Sequence, residues 1–500
     1  MKKITFRLFS IVMLLASSMV VKAEVIEATV GDLNYEIDTD LKEATVIWGE
    51  YEGFTDLVIP ANVNYEGVDY AVTAIGDDAF RGIESITSVT LPNTLVTIGA
   101  GAFWDCSLTS VTIPASVESI GEEAFWAFSL EAFKVDSDNS VYCDIDGVLC
   151  SKDKTELIFC PIAKQSDVYE VPNTITKIAE KAFDSNDNIT KIIIPSSVTE
   201  IGANAMGFCT LLKNISVASD NPAYCDIDGV LFNKDKTKLC QYLGARTTKE
   251  YVIPETVTTI GEYAFYNSRK LTSVIIPKSV SSIETSAFQY CKKIASFELP
   301  EVLESIGNNA FASCEAVKSF VIPNSVTSIG RNALQRCRAL QSVTIGSSVN
   351  TIGRNAFTNC NSLTSVICLA AQCPVCENET LVSDYETVKL SVPTGSVALY
   401  QSTAPWSSFA NIEGIEVTGI ETIKLSNSNV NSVFNFGGMM MKGIKSGINI
   451  IRMENWQISS RRYLLCCHLG ISAGLSALFH SSTNIRLTQC RKCRGFALLV

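Results

Sequence analysis

The six residues Asp-Ile-Asp-Gly-Val-Leu occur twice in this chain, at Asp144–Leu149 and at Asp226–Leu231. Two aspartates separated by one residue offer carboxylates for nucleophilic or acid–base chemistry. The same oxygens could hold Ca2+. A second suggestive pair is Cys373-Pro-Val-Cys376, which has the spacing of a redox dithiol. The two histidines, His468 and His480, lie near the C-terminus. Residues 24–455 therefore hold no imidazole for a Ser or Cys triad or for a usual zinc site.

What positions these groups decides among the readings. The hexapeptide is similar to the nucleophile loop of haloacid-dehalogenase-type phosphatases, which needs a buried apolar strand leading into the first Asp. Here the preceding residues are polar, and Pro222 interrupts one copy. A calcium loop would want a carboxylate two residues before Asp144, where Tyr142 stands. Both hexapeptides sit in longer copies, Val135–Leu157 and Val217–Leu239. Tyr-Cys-Asp-Ile followed by Asp-Gly and then Val-Leu predicts a hairpin turning on Asp-Gly, with a polar Lys-Asp-Lys-Thr turn beyond. The Cys373/Cys376 pair lacks a flanking strand–helix pattern and reads as a structural disulfide or loop pair.

Around these copies the chain repeats. Segments such as Leu-Thr-Ser-Val-Ile-Ile-Pro-Lys-Ser-Val from Leu271 recur from Leu108, Ile189, Val317 and Leu340, and Pro254, Pro277, Pro300, Pro323 and Gly346 mark a period of 23 residues. In one coil, Val274 and Ile276 alternate as on a short strand and Pro277 ends it. Val280, Ile283, Ala287 and Phe288 follow at helical-turn spacing. One such coil is too small to offset its own ordering entropy, so neighbours must share a core. Ile-Gly recurs from Ile98-Gly99 to Ile352-Gly353, but Ala179 and Glu284 replace the glycine in two coils, so the position should not require positive φ. Cys209, Cys291, Cys314, Cys337 and Cys360 occupy one repeat position, with Cys106 at a near-equivalent one. They read as a ladder of small buried thiols, with disulfides between coils as the alternative.

The pattern L-x-x-V-x-I-P-x-S-V-x-x-I-G-x-x-A-F-x-x-C resembles the BspA-like leucine-rich repeats of bacterial surface proteins, over about residues 24–415. The resemblance includes an opening segment, Ile59–Phe80, and a closing one, Leu390–Ile415. It implies a repeat solenoid, a right-handed coil of short parallel strands and helical turns, displayed outside the cell for adhesion or other binding and without catalysis or cofactor. The expected divisions are a signal peptide at 1–23, an N-terminal cap and first coil at 24–80, and the solenoid at 81–368. Two hairpin-bearing wide coils fall within it, at 133–171 and 215–253. A C-terminal cap follows at 369–415, then a short β-rich attachment or sorting segment at 416–455 and an anomalous tail at 456–500.

The leader Met1–Ala23 has a basic start, an apolar stretch and small residues before Glu24. The tail at 456–500 has no acids, six basic residues and four cysteines, and reads as a frameshifted or unselected read-through. A rival reading makes Tyr463–Phe479 a membrane anchor. Setting aside those six and the four basic residues of the leader takes the net charge from −12 to −22 for residues 24–455. So acidic a body disfavours nucleic acid and anionic lipid as partners. The remaining candidate is surface. Between the buried strand residues, Ser110, Thr112, Lys191, Ile193, Ser273, Ile275, Ser296, Glu298, Ser319, Val321, Ser342 and Thr344 should point outward. This face, mostly hydroxyl-bearing and β-branched, suits an extended extracellular or host protein partner. No row of aromatics offers stacking for a glycan. A structural envelope solenoid without ligand is the alternative function, and a phosphatase-like enzyme a remote one.

Overall fold

The computed structural model describes residues 25–377 and 381–418, together with seven short strand segments between Thr422 and Leu499. The expectations for the leader and for His468 and His480 fall outside these residues, and those for the attachment segment and tail do so for the most part. The described chain divides into two units, residues up to Asp235 with Leu243–Arg246, and Lys236–Tyr242 with Thr247 onward.

The first unit opens with an antiparallel meander of strands Val25–Val30, Leu33–Asp38 and Glu43–Val46. Its last strand pairs in parallel with Val68–Ile75, which itself folds back on Asn62–Tyr65. From Val68–Ile75 onward each added coil lays a two-residue strand beside the last, Thr97–Ile98 and then Ser119–Ile120. Ser110–Ile113 pairs in parallel with Ala132–Val135, and Val168–Glu170, Lys191–Ile194 and Asn214–Val217 form a separate parallel ladder.

The second unit is more regular. Thr259–Ile260, Ser282–Ile283, Ser305–Ile306, Ser328–Ile329 and Thr351–Ile352 form one parallel ladder stepping by 23 residues. Ser319–Val321, Ser342–Ile345, Ser365–Cys368, Lys389–Pro393 and Asn411–Thr418 form the other. Val274 and Val343 are both buried in this unit. The C-terminal cap supplies an α-helix, Val397–Ser402, whose Tyr400 is buried beside Trp406.

Two features correct the expected helical turns. Ser282–Ile283 is a strand, and no coil contains an α-helix among the described residues. After it the chain makes consecutive tight turns in which the Phe288 N–H donates to Ala310 O of the next coil, 2.7 Å away. A helix would send that N–H back along its own axis. Two residues per coil also adopt left-handed backbone, Ser286 and Tyr290 in this one, and Asn309 and Ser313 in the next. Left-handed residues cannot continue a right-handed helix.

The repeated glycine does not have positive φ, as expected. Gly121, Gly330 and Gly353 are absent from the left-handed set. Their constraint is close approach: a Cβ on Gly330 would lie 2.5 Å from Asn308 N of the preceding coil, and one on Gly353 about as near Arg331 N. Stacked rings accompany this contact in both units. Phe80–Phe103 and Phe103–Phe125 lie 5.3 and 5.4 Å apart in the first, and Phe265–Phe288 and Phe288–Phe311 4.8 and 5.4 Å apart in the second.

The cysteine column is a ladder of free thiols. Each Sγ–H donates to a backbone carbonyl of the preceding coil: Cys106 to Phe80, Cys209 to Phe183, Cys291 to Phe265, Cys314 to Phe288, Cys337 to Phe311 and Cys360 to Leu334, at 3.0 to 3.2 Å. Burial pushes the Cys106 and Cys291 thiols up to about 12. Burial likewise raises Cys209 and Cys314, whereas the Cys337 thiol beside Cys360 lowers the Cys360 pKa. The thiolate is the reactive form, so native protein treated with iodoacetamide at pH 8 should keep Cys106, Cys209, Cys291 and Cys314 unmodified by mass spectrometry. Denatured protein should be alkylated at all six.

Asp184 is a buried acid with one oxygen lacking a partner, while the other accepts weakly from Asn204 Nδ2 at 3.4 Å. Burial raises its pKa from 3.8 to about 7, against the opposing pull of the Ser185 N–H and the Lys181 charge. The folded state therefore holds a proton that the unfolded chain releases, and stability falls as pH rises from about 4 to about 7. Asp184→Asn should flatten that part of the pH–stability curve measured by chemical denaturation.

Candidate functional site

The two aspartate hairpins form as the sequence indicates. Tyr142–Ile145 pairs antiparallel with Val148–Ser151, placing Asp144 opposite Leu149 and Ile145 opposite Val148. Asp146 and Gly147 turn the chain with φ of 50° and 75°, as a tight two-residue hairpin loop with right-handed twist requires. The second copy repeats this with Tyr224–Ile227, Val230–Asn233, Asp228 and Gly229.

The aspartates are used inside the fold. Asp144 Oδ1 accepts the Val135 N–H at 2.8 Å, and Asp226 Oδ1 accepts the Val217 N–H at the same distance. Each carboxylate thereby satisfies the end of the strand before its hairpin. Asp146 pairs with the largely buried Lys164, whose ammonium also reaches the Asp146 carbonyl. In the second copy Arg246 donates to the Asp228 carbonyl instead. Asn139 and Asn221, both fully buried, tie each hairpin to the preceding coil. Asn139 Nδ2 donates to Pro114 O and Val117 O, and Asn221 Nδ2 to Pro195 O and Val198 O. Their Oδ1 atoms accept from Val141 and Tyr142, and from Ala223 and Tyr224. Among the described residues no group of three or more His, Cys, Asp or Glu is placed to hold a metal ion.

Cys373 and Cys376 are free, half-buried thiols in the segment 369–415, and Cys376 lies on the short strand Val375–Cys376, which pairs in parallel with Thr351–Ile352. Burial pushes Cys376 up to about 12 and also raises Cys373, which leaves little thiolate for redox exchange at neutral pH.

The outward strand residues form two separate faces. In the first unit, Ser110 and Thr112 are exposed while Val111 and Ile113 are buried, and Lys191 and Ile193 are half-buried. In the second, Ile275 is exposed, and Ser273, Val321, Ser342 and Thr344 are half-buried. Val252 and Ile275 lie side by side in paired strands at 61% and 57% exposure, forming an apolar spot. Ser296 and Glu298 are a correction: both are exposed, but neither lies on a strand, because the ladder breaks between Ser273–Ile275 and Ser319–Val321. Phe297 fills the inward slot that Val274, Phe320 and Val343 hold in other coils, and its ring packs edge-on against Phe288 and Phe311 at 5.0 and 4.7 Å.

Sequence reasoning missed the outward side chains of the other ladder, Thr259, Ser282, Ser305, Ser328 and Thr351. Their signal was present in the recurring Ser-Ile or Thr-Ile before the glycine, which is a strand only two residues long. Lys238 and Glu284 form an ion pair beside this row at 2.7 Å. No helix among the described residues is long and apolar enough to cross a membrane.

The geometry accords with known repeat proteins. The BspA type leucine rich repeat region matches in six copies, over residues 61–144, 163–234 and 241–364. No curated protein matches the chain. A leucine rich cell surface protein from Faecalibacterium prausnitzii is 30% identical, covering 69% of this chain and 95% of that one, with a TM-score of 0.42. A leucine-rich repeat protein from Eubacterium ventriosum is 23% identical over 81% of this chain and 99% of its own, with a TM-score of 0.45. The pneumococcal vaccine antigen PcpA is 20% identical over 79% of this chain and 100% of its own, with a TM-score of 0.46. Since the repeat region spans more than half of the chain, and the bacterial cell surface protein shares its sequence at this level, the chain belongs to the BspA-type leucine-rich-repeat family.

Proposed function

We infer that this is a non-catalytic binding protein of the cell surface or extracellular space, which engages an extended protein partner along the outward strand face of its repeats. The observation that carries the reading is the ladder itself. Successive parallel strands present hydroxyl and β-branched side chains at a fixed spacing, with little charge and with the apolar pair Val252 and Ile275 at one end of the second unit. Such a surface is rigid before binding, so an extended partner meets it without an ordering cost on the repeat side. The description of the Faecalibacterium relative as a cell surface protein supports the location, and the apolar leader at the N-terminus supports export.

The absence of catalysis is supported by the hairpins. Asp144 and Asp226 each spend an oxygen on a backbone N–H, and the chain offers no His between 24 and 455.

Replacing Ser273, Ile275, Val321 and Thr344 together with Lys should abolish adhesion to host extracellular matrix proteins or to cells, with an unchanged circular dichroism spectrum. Retained adhesion would remove this face from consideration, and a wild-type chain that adheres to neither would favour a structural envelope role. Asp144→Ala, by orphaning the Val135 N–H, should cost about 1–3 kcal/mol of stability in urea unfolding. Hydrolysis of p-nitrophenyl phosphate should stay at the buffer rate for wild type, Asp144→Ala and Asp226→Ala alike. Turnover that vanished on substitution would restore the enzyme reading.

A further inference from the structure

The first wide coil leaves an opening in the wall of the first unit. The ladder that ends at Ser119–Ile120 is not continued by the next strand on that side, Glu156–Phe159, which pairs instead with Val148–Ser151 and Lys177–Ile178. Between the two lies a cavity of about 290 Å3. Its floor is apolar, built from Phe125, Phe133 and Leu149 with Ile158 and Phe159 beside them.

Two residues that line this gap have a backbone N–H without an acceptor among the described residues. In the coil before, Gly101 N–H donates to Glu122 O and Phe103 N–H to Ala124 O, at 2.9 and 2.8 Å. In the coil after, Lys181 and Phe183 donate in the same way to Ala203 and Ala205. The corresponding groups here are Glu123 N–H and Phe125 N–H, of residues that line the cavity, and they have no acceptor among the described residues. A buried N–H without a partner is costly, so such positions call for an acceptor. The acceptors used elsewhere, Glu122 and Ala124, are two residues apart, which is the spacing at which an extended strand presents carbonyls along one edge.

The rim adds a charge preference. Lys177 and Lys181 are engaged by Glu156 and Glu123 at 2.8 and 2.7 Å. Glu122 and Glu180 line the same opening and are exposed; their charges act on the Lys181 ammonium, but that cation's ion pair is with Glu123. The acids exceed the bases by two, so the unmet charge is negative.

We propose that this cleft binds a short extended segment of a protein partner. The segment's carbonyls accept from Glu123 N–H and Phe125 N–H, an apolar side chain enters over Phe125 and Phe133, and a Lys or Arg side chain reaches Glu122 and Glu180. The site belongs to the first wide coil. By sequence, the second copy has Lys238, Thr259 and Tyr263 where the first has Glu156, Lys177 and Lys181, and Ala203 in place of Glu122. The cleft is separate from the outward strand face of the second unit, so either can fail without the other.

The test is calorimetric titration of the full chain with an acetylated, amidated peptide alternating Leu and Lys, compared with its Leu and Glu counterpart and with n-butylamine. The expected result is saturable binding of the basic peptide alone. Glu122→Gln with Glu180→Gln should weaken it about ten-fold, and Ala179→Trp, which fills the cleft, should abolish it. The Lys quartet on the second unit's face should leave it unchanged. No saturable binding up to about 1 mM, equal affinity for the acidic peptide, or equal affinity in the double Gln variant would overturn the proposal. Competition by n-butylamine at the same concentration as the peptide would also overturn it, since a free amine lacks the backbone acceptors. If Ala179→Trp does not fold by circular dichroism, the double Gln variant and the acidic peptide decide alone.

Discussion

The structure depends on backbone hydrogen bonds that run from one coil to the next. In an ordinary domain, turns face water and helices satisfy themselves. Here even the turns are partnered, as Phe265 N–H to Ala287 O and Phe288 N–H to Ala310 O repeat the same contact one coil apart. This requirement fixes the rest. Coils approach closely, so a Cβ on Gly330 or Gly353 would meet the backbone of the preceding coil, although Ala179 and Glu284 are accommodated at the same repeat position. Coils must also match in length, so the step stays at 23 residues from Thr259 through Thr351. Burial of Ile260, Ile283, Ile306, Ile329 and Ile352 then follows as a column, with hydroxyl residues pointing the other way.

Where the chain departs from this rule, something must replace the missing contact. The wide coils insert a hairpin, and side chains take over the work of the ladder. Tyr142 Oη accepts the Ile120 N–H and Tyr224 Oη accepts the Ile201 N–H, at 3.1 and 3.0 Å. Asn139 and Asn221 bridge the carbonyls, and Asp144 and Asp226 take the last strand N–H. The residues that looked most like a catalytic motif are thus the ones that let a longer coil fit into a regular stack. Their recurrence reflects a repeated geometric problem.

Much of this was legible in the sequence. The period, the family resemblance, the Asp-Gly hairpins and the thiol column could all be read because each is a pattern of residue types at fixed spacing. What could not be read is where backbone geometry outweighs side-chain pattern. Val280, Ile283 and Phe288 have helical spacing, yet left-handed residues such as Ser286 and Tyr290 reset the chain, and nothing in a Ser or a Tyr announces positive φ. The break at Ser296 and Glu298 leaves no mark in the pattern of apolar and polar letters, since Phe297 fills the same inward slot as Phe320, which does lie on a strand. The opening beside Phe125 depended on which strand the Glu156–Phe159 segment would choose as a partner.

The thiol column has a consequence for how such a wall is assembled. Each sulfur gives its hydrogen to the coil beneath and is roofed only when the coil above arrives. In the finished array all six sulfurs are buried, whereas a partly built one would leave its last sulfur uncovered. In an oxidising compartment, construction would become a race between laying the next course and forming a wrong crosslink, and a regular step length would favour the mason.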